Sequence, residues 1–165
     1  MPGLRTTTTQ DAVLLAIVDR LRAKLSLSES ECFLSVHPEG QPTVNHNLWM
    51  TVSPEDGQID GSAFVGGGAA TLFEETFAVI TIFSAMRLDR PEHSVSFLTE
   101  EARGVLVAKR KVLKALAGFD PTNTDGDMIL NEPLIPTSCP RPLNDRQRIG
   151  DVQLWFSLSY CWDVS

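Results

Sequence analysis

DVQLWFSLSYCWDV, residues 151–164, is the stretch on which the fold reading turns. Val152, Leu154, Phe156, Leu158, Tyr160, Trp162 and Val164 alternate with Gln153, Trp155, Ser157, Ser159, Cys161 and Asp163. Successive side chains of a strand point to opposite faces, so this period of two predicts one long strand with a core face. The other face is polar except at Trp155 and Cys161. Upstream, TLFEETFAVITIFS, residues 71–84, is the longest other strand candidate. Strict alternation puts Phe73, Glu75, Phe77, Val79, Thr81 and Phe83 on one face and Leu72, Glu74, Thr76, Ala78, Ile80 and Ile82 on the other. From Phe77 onward both faces are largely apolar. A sheet with one solvated face alternates cleanly, so this strand is expected to be covered on both sides. CFLSV (32–36) and LWMTV (48–52) add two short strands, the second stopped by Pro54 and Asp56-Gly57.

Two amphipathic helices flank these strands. Over residues 9–26, Leu14, Ile17, Val18, Leu21 and Leu25 recur at i, i+3, i+4, i+7 and i+11, with Asp19, Arg20, Arg22 and Lys24 off the stripe. Thr8 with Asp11 resembles a capping box. The second helix is expected over 99–117, with Thr99 as N-cap, Glu100 and Glu101 in the first turn and Gly118 as the C-terminal stop. Its apolar stripe is Ala102, Val105, Leu106, Val112, Leu113 and Leu116. The two stripes are expected to pack on Phe156, Leu158, Tyr160 and Trp162. The fold class is therefore α+β: a mainly antiparallel sheet of about four to five strands backed by two helices. A chain of 165 residues suits one structural domain, 1–165.

Two segments lack a period. Residues 55–70 are glycine-dense and read as a projecting hairpin arm, expected to be mobile alone and ordered by a neighbour that buries Ile59, Phe64 and Val65. Residues 120–150 hold five prolines and read as a long ordered loop with one short strand at Met128–Leu130.

The composition excludes several function classes. Net charge is −7, whereas a duplex-DNA binder presents a basic surface. No apolar run suits a bilayer span, and no signal core is visible, so the chain is expected to stay in the cytoplasm where it is made. Cys32, Cys139 and Cys161 form no CxxC pair and read as free thiols. His37, His46 and His93 lie in loops without an HExxH or similar spacing, and no GxSxG elbow is present. Glu74 and Glu75 are adjacent on a strand, face opposite ways and cannot share a proton. Asn123, Asp125, Gly126 and Glu132 match calcium-loop positions three, five, six and twelve, but position one is Pro121 and no second helix follows. A tight Asp-Gly turn explains the loop better. No catalytic residue, metal ligand or cofactor is assigned, and no enzymatic activity is expected.

The second helix carries a basic stripe, Arg103, Arg110 and Lys114, flanked by Lys109 and Lys111. A solvated helix face is the plain explanation. The functional one is an intersubunit surface that meets acidic groups on a neighbour.

The order of elements resembles the tail-terminator and tail-completion (neck) proteins of tailed phages. The stretches that carry the likeness are DAVLLAIVDRLRAKL, TFAVITIFSAM followed by ARGVLVAKRKVLKAL, and VQLWFSLSYCWDVS. The resemblance is one of layout and covers most of the chain, while the 120–150 insertion has no counterpart. The resemblance implies a virion subunit that closes into a ring, most often of six copies, at the head–tail junction. Such a ring ends tail-tube growth and docks to the head connector, and DNA passes through it without specific binding. The subunit interface is then expected at Arg103, Arg110, Lys114, Ile59, Phe64 and Val65. A different head-completion, neck or tail-tube role and a small metal- or ligand-binding module are the alternatives.

Overall fold

The computed structural model describes residues 7–36, 48–54, 58–59, 70–85, 105–122, 126–130, 133–138, 144–146 and 149–163. In chain order these form β1 (Thr7–Thr8), α1 (Gln10–Leu25), β2 (Cys32–Leu34), β3 (Leu48–Pro54), β4 (Gln58–Ile59), β5 (Ala70–Ala85), α2 (Val105–Leu116), β6 (Ile135–Ser138), β7 (Asn144–Arg146) and β8 (Ile149–Asp163). Helix and strand combine as expected for the α+β class. The strands form one sheet of eight, more than the four to five anticipated, because short segments extend both flanks of the central pair. The main path runs β1-β8-β5-β3-β2. The β3/β5 and β5/β8 ladders are antiparallel, whereas β1/β8 and β2/β3 are parallel.

The long strands β5 and β8 pair along nearly their whole length, from Ala70↔Asp163 to Ala85↔Ile149. A bulge interrupts them: Thr76 and Phe77 stand opposite the single residue Ser157, between Glu75↔Leu158 and Ala78↔Phe156. An extra residue shifts the period by one. The face shared with Leu154, Phe156, Leu158 and Tyr160 therefore takes positions 73 and 75 before the bulge and 78, 80 and 82 after it. This corrects the strict two-set division of 71–84, which assumed unbroken alternation. On the other edge of β5, Pro54↔Ala78 and Gln58↔Glu74 keep one register, so β4 resumes pairing where β3 left off.

The core lies between the helices and this face. Val13, Leu14, Ile17, Val18 and Leu21 of α1 are buried with Val112 and Leu116 of α2, and they cluster with Met50, Val52, Leu154, Phe156, Leu158 and Tyr160. Val13, Ala108 and Ala115 join the core although the sequence stripes omitted them. Side chains at Val105, Leu106 and Trp162, and residues 99–104, lie outside the described set. The opposite face of β3 is also closed: Trp49, Thr51 and Ser53 are 6%, 0% and 0% exposed within the single chain. Two-sided cover is expected of the 71–84 strand, whose side chains lie outside the described set; among the described residues it is β3 that is closed on both faces within one chain.

Thr9, not Thr8, caps α1. Thr9 is extended and its carbonyl accepts the Val13 N–H at 3.2 Å, while Thr8 is drawn into β1 opposite Trp162. The Thr9 hydroxyl bonds the Asp11 carboxylate and holds it below the usual range. At the other end Ser26 adopts φ 55°, and its N–H and that of Leu27 both return to the Arg22 carbonyl. Arg22 then ties the helix to β2, donating from Nε to the Cys32 carbonyl at 2.9 Å. Gly118 follows α2 with φ +72°, as its position after the stripe predicts, and donates its N–H to the Leu134 carbonyl at 2.9 Å.

The 120–150 segment departs most from expectation. It holds β6 and β7 in addition to bridges at Thr122↔Met128 and Leu130↔Tyr160. β7, β6, Leu130 and β1 pair in turn with residues 149–151, 155–157, 160 and 161–162 of β8. An edge strand of this length exposes a row of unpaired N–H and C=O groups, and short segments interrupted by proline cover it without creating another long edge.

Candidate functional site

Of the residues anticipated at an interface, Arg103, Phe64 and Val65 lie outside the described residues. Ile59 is placed in β4 opposite Phe73, tying that part of the expected arm to the sheet. Arg110 is exposed on α2 but does not line a cleft with Lys114. Half of the anticipated set thus lies outside the described residues. The described residues gather another set. Arg20, Lys24, Leu25 and Ser26 from the end of α1, with Lys111, Lys114 and Ala115 from α2, line a cleft of about 520 Å³.

This cleft follows from the positions next to the buried stripes. Ile17 and Leu21 turn one side of α1 into the core, as Val112 and Leu116 do for α2. Arg20 and Lys24 are spaced i, i+4, and Lys111 and Lys114 are spaced i, i+3, so each pair shares a helix face at the solvent rim of the seam. Arg20 is the fixed member. Its Nε donates to the Ala115 carbonyl at 3.2 Å, and its guanidinium carbon lies 4.8 Å from the Phe119 ring centroid. The three lysines are exposed.

Among the described residues four cations share one cleft, on a chain of net charge −7. None of them has Asp or Glu three or four residues away in sequence. Arg22 does, and it reaches Asp19 at 3.7 Å. None of the four cleft cations lies within ion-pair distance of a carboxylate among the described residues. Lys114 belonged to the basic stripe and Lys111 flanked it. Arg20 and Lys24 were missed because they looked like ordinary solvated charges beside the α1 stripe. The signal available was the lack of an acidic partner at helical spacing. The chemistry open to such a site is anion recognition: mobile ammonium groups with one anchored guanidinium, open to solvent.

Among the described residues no group of His, Cys, Asp and Glu is arranged to hold a metal ion. Asp125, Glu132 and the three histidines lie outside them. Gly126 turns at φ +87° beside exposed Asp127. Cys32 is buried, and burial pushes its thiol up to about 12. No helix among the described residues is long and apolar enough to cross a membrane.

No family model matches this chain, and no curated protein is similar to it. Among solved structures, a chain described as "Virion of native gene transfer agent (GTA) particle" is similar at 16% identity, covering 93% of this chain and 98% of that one, with a TM-score of 0.49.

Proposed function

We propose that this chain is a structural subunit of a tailed-phage particle, one copy of a homo-oligomeric ring at the head–tail junction. The ring ends the tail tube and docks it to the head connector, without an enzymatic step or a bound cofactor. The observation that carries this reading is the order of elements: helix, short strand, long strand with a hairpin extension, helix, and C-terminal long strand paired to the first long strand. That is the layout on which the resemblance to tail-completion proteins rests. The insertion absent from that layout lies along the free edge of β8, so it adds to the sheet without changing the central order. A ring requires head-to-tail contacts between unlike faces of one subunit. An acidic chain with four of its fourteen cations in a cleft between two helices offers unlike faces for such contacts.

Native mass measurement of the purified chain, with antibody labelling of the source particle under the electron microscope, tests this. A closed species of defined subunit number, six by expectation, and label at the neck are the outcomes required. A chain that is monomeric both at high concentration and in its particle overturns the reading.

A further inference from the structure

We infer that the cationic cleft between α1 and α2 is the docking site for an acidic surface of a second copy of this chain. The inference rests on the ring reading and names the face through which one subunit receives the next. Arg20 beside Lys24 and Lys111 beside Lys114 place like charges one turn apart on each helix, an arrangement that destabilises an isolated helix. The two helices then bring the pairs together, which raises the repulsion further. A site built this way gains stability when carboxylates enter it.

The source of those carboxylates is the chain itself. With four of the fourteen basic side chains in the cleft, the rest of the molecule carries ten basic against twenty-one acidic groups. Two copies repel one another in most orientations. The orientation that sets the cleft of one against an acidic surface of the next is attractive, and it is head-to-tail. The composition of the cleft favours carboxylates over a nucleic-acid backbone. Three of its four cations are lysines, point charges on flexible stems that accept carboxylates in many positions. Among the described residues no aromatic side chain lines the cleft, and the field of an acidic molecule opposes the approach of duplex DNA.

The test is sedimentation velocity of the full chain at about 0.05 M and about 0.5 M salt, where the screening length differs about threefold. The variants are Lys24→Glu/Lys111→Glu/Lys114→Glu and the uncharged Lys24→Gln/Lys111→Gln/Lys114→Gln. Arg20 is left intact because it holds the helices together. The expected result is salt-sensitive assembly of the native chain, weakened on the order of tenfold or more by the Glu set and less by the Gln set, with unchanged circular dichroism. An equimolar mixture of native chain and Glu variant should stop at small mixed species, because the variant keeps the acidic surface and occupies native clefts. Assembly of the folded Glu variant at native strength overturns the cleft but leaves the ring reading standing. If the Glu variant fails to fold, native-strength assembly of the Gln variant has the same consequence. A native chain that stays monomeric throughout overturns both. Binding of a short DNA duplex that the Glu set abolishes, while self-association is unaffected, overturns the proposal in favour of nucleic acid.

Discussion

Arg20 and Ala115 stand 95 residues apart in the chain and are joined by a hydrogen bond from Nε to the carbonyl at 3.2 Å. The carbonyl belongs to the last turn of α2, where C=O groups lose their intrahelical partners. The guanidinium lies over Phe119 at 4.8 Å, so one side chain completes a helix end and covers a ring. Replacing Arg20 by Ala is expected to cost about 2–4 kcal/mol, the sum of one charge-assisted bond and a partly exposed cation–π contact. Lys restores charge but has neither Nε nor a planar face, so Arg20→Lys should recover less than half. Urea denaturation of the three proteins decides it, and equal stability of Lys and Arg would show that charge alone matters.

Asp120 presents the opposite situation. Its Oδ1 is buried without a hydrogen-bond partner among the described residues. Burial raises its carboxyl above the usual range, partly offset by the Leu130 N–H. A raised carboxyl favours the protonated folded form, so its contribution is fully present below the ordinary carboxylate range and is lost as pH rises through the shifted value. Asn resembles the protonated form. Asp120→Asn is therefore expected to gain stability relative to the native chain as pH rises from acid to neutral. The gain should be about 1 kcal/mol, at the low end for an unsatisfied buried group because the residue is only half-buried. Denaturant midpoints across this pH range check the trend, and a gain independent of pH would contradict it.

Cys32 sits in the core with no exposed surface. Its thiol, raised from 9.0 to about 12, stays protonated in the folded protein where an unfolded thiol ionises. The folded state then holds the proton longer, so the associated stability is intact below about pH 9 and declines toward pH 12. With Cys139→Ser and Cys161→Ser leaving one thiol, Cys32 should resist a thiol reagent at neutral pH until denaturant is added. Labelling of the folded variant at the rate of a free thiol would show that the site opens.

Gly118 has φ +72°, and a Cβ added to its backbone would meet nothing within 4 Å. Space is therefore no obstacle, and only the left-handed backbone disfavours a side chain. Gly118→Ala is expected to cost about 1 kcal/mol, and Gly118→Asn less, since Asn tolerates this region better. Thermal melting of the pair with the native chain checks the order. A loss far above that size would mean that the Gly118 N–H bond to Leu134 had also been broken.

The sequence by itself determined the elements whose signal is local. The α1 stripe and the alternation of β8 recur at the spacing of one helix or one strand, and the residues they mark, Ile17, Leu21, Phe156 and Tyr160, are buried. Gly118 was legible for the same reason, because a helix end needs a residue that accepts positive φ. Tertiary structure alone decided three things. The β5 bulge is set by the register against Ser157 and leaves no mark in the composition of 71–84. The 120–150 segment has no period of its own, yet the open edge of β8 supplies hydrogen-bonding groups that β6 and β7 pair with. The cationic cleft joins Arg20 and Lys24 to Lys111 and Lys114, residues separated by most of the chain. Each pair reads alone as a solvated helix face, because charge becomes a site only when packing of the apolar stripes sets the two faces side by side.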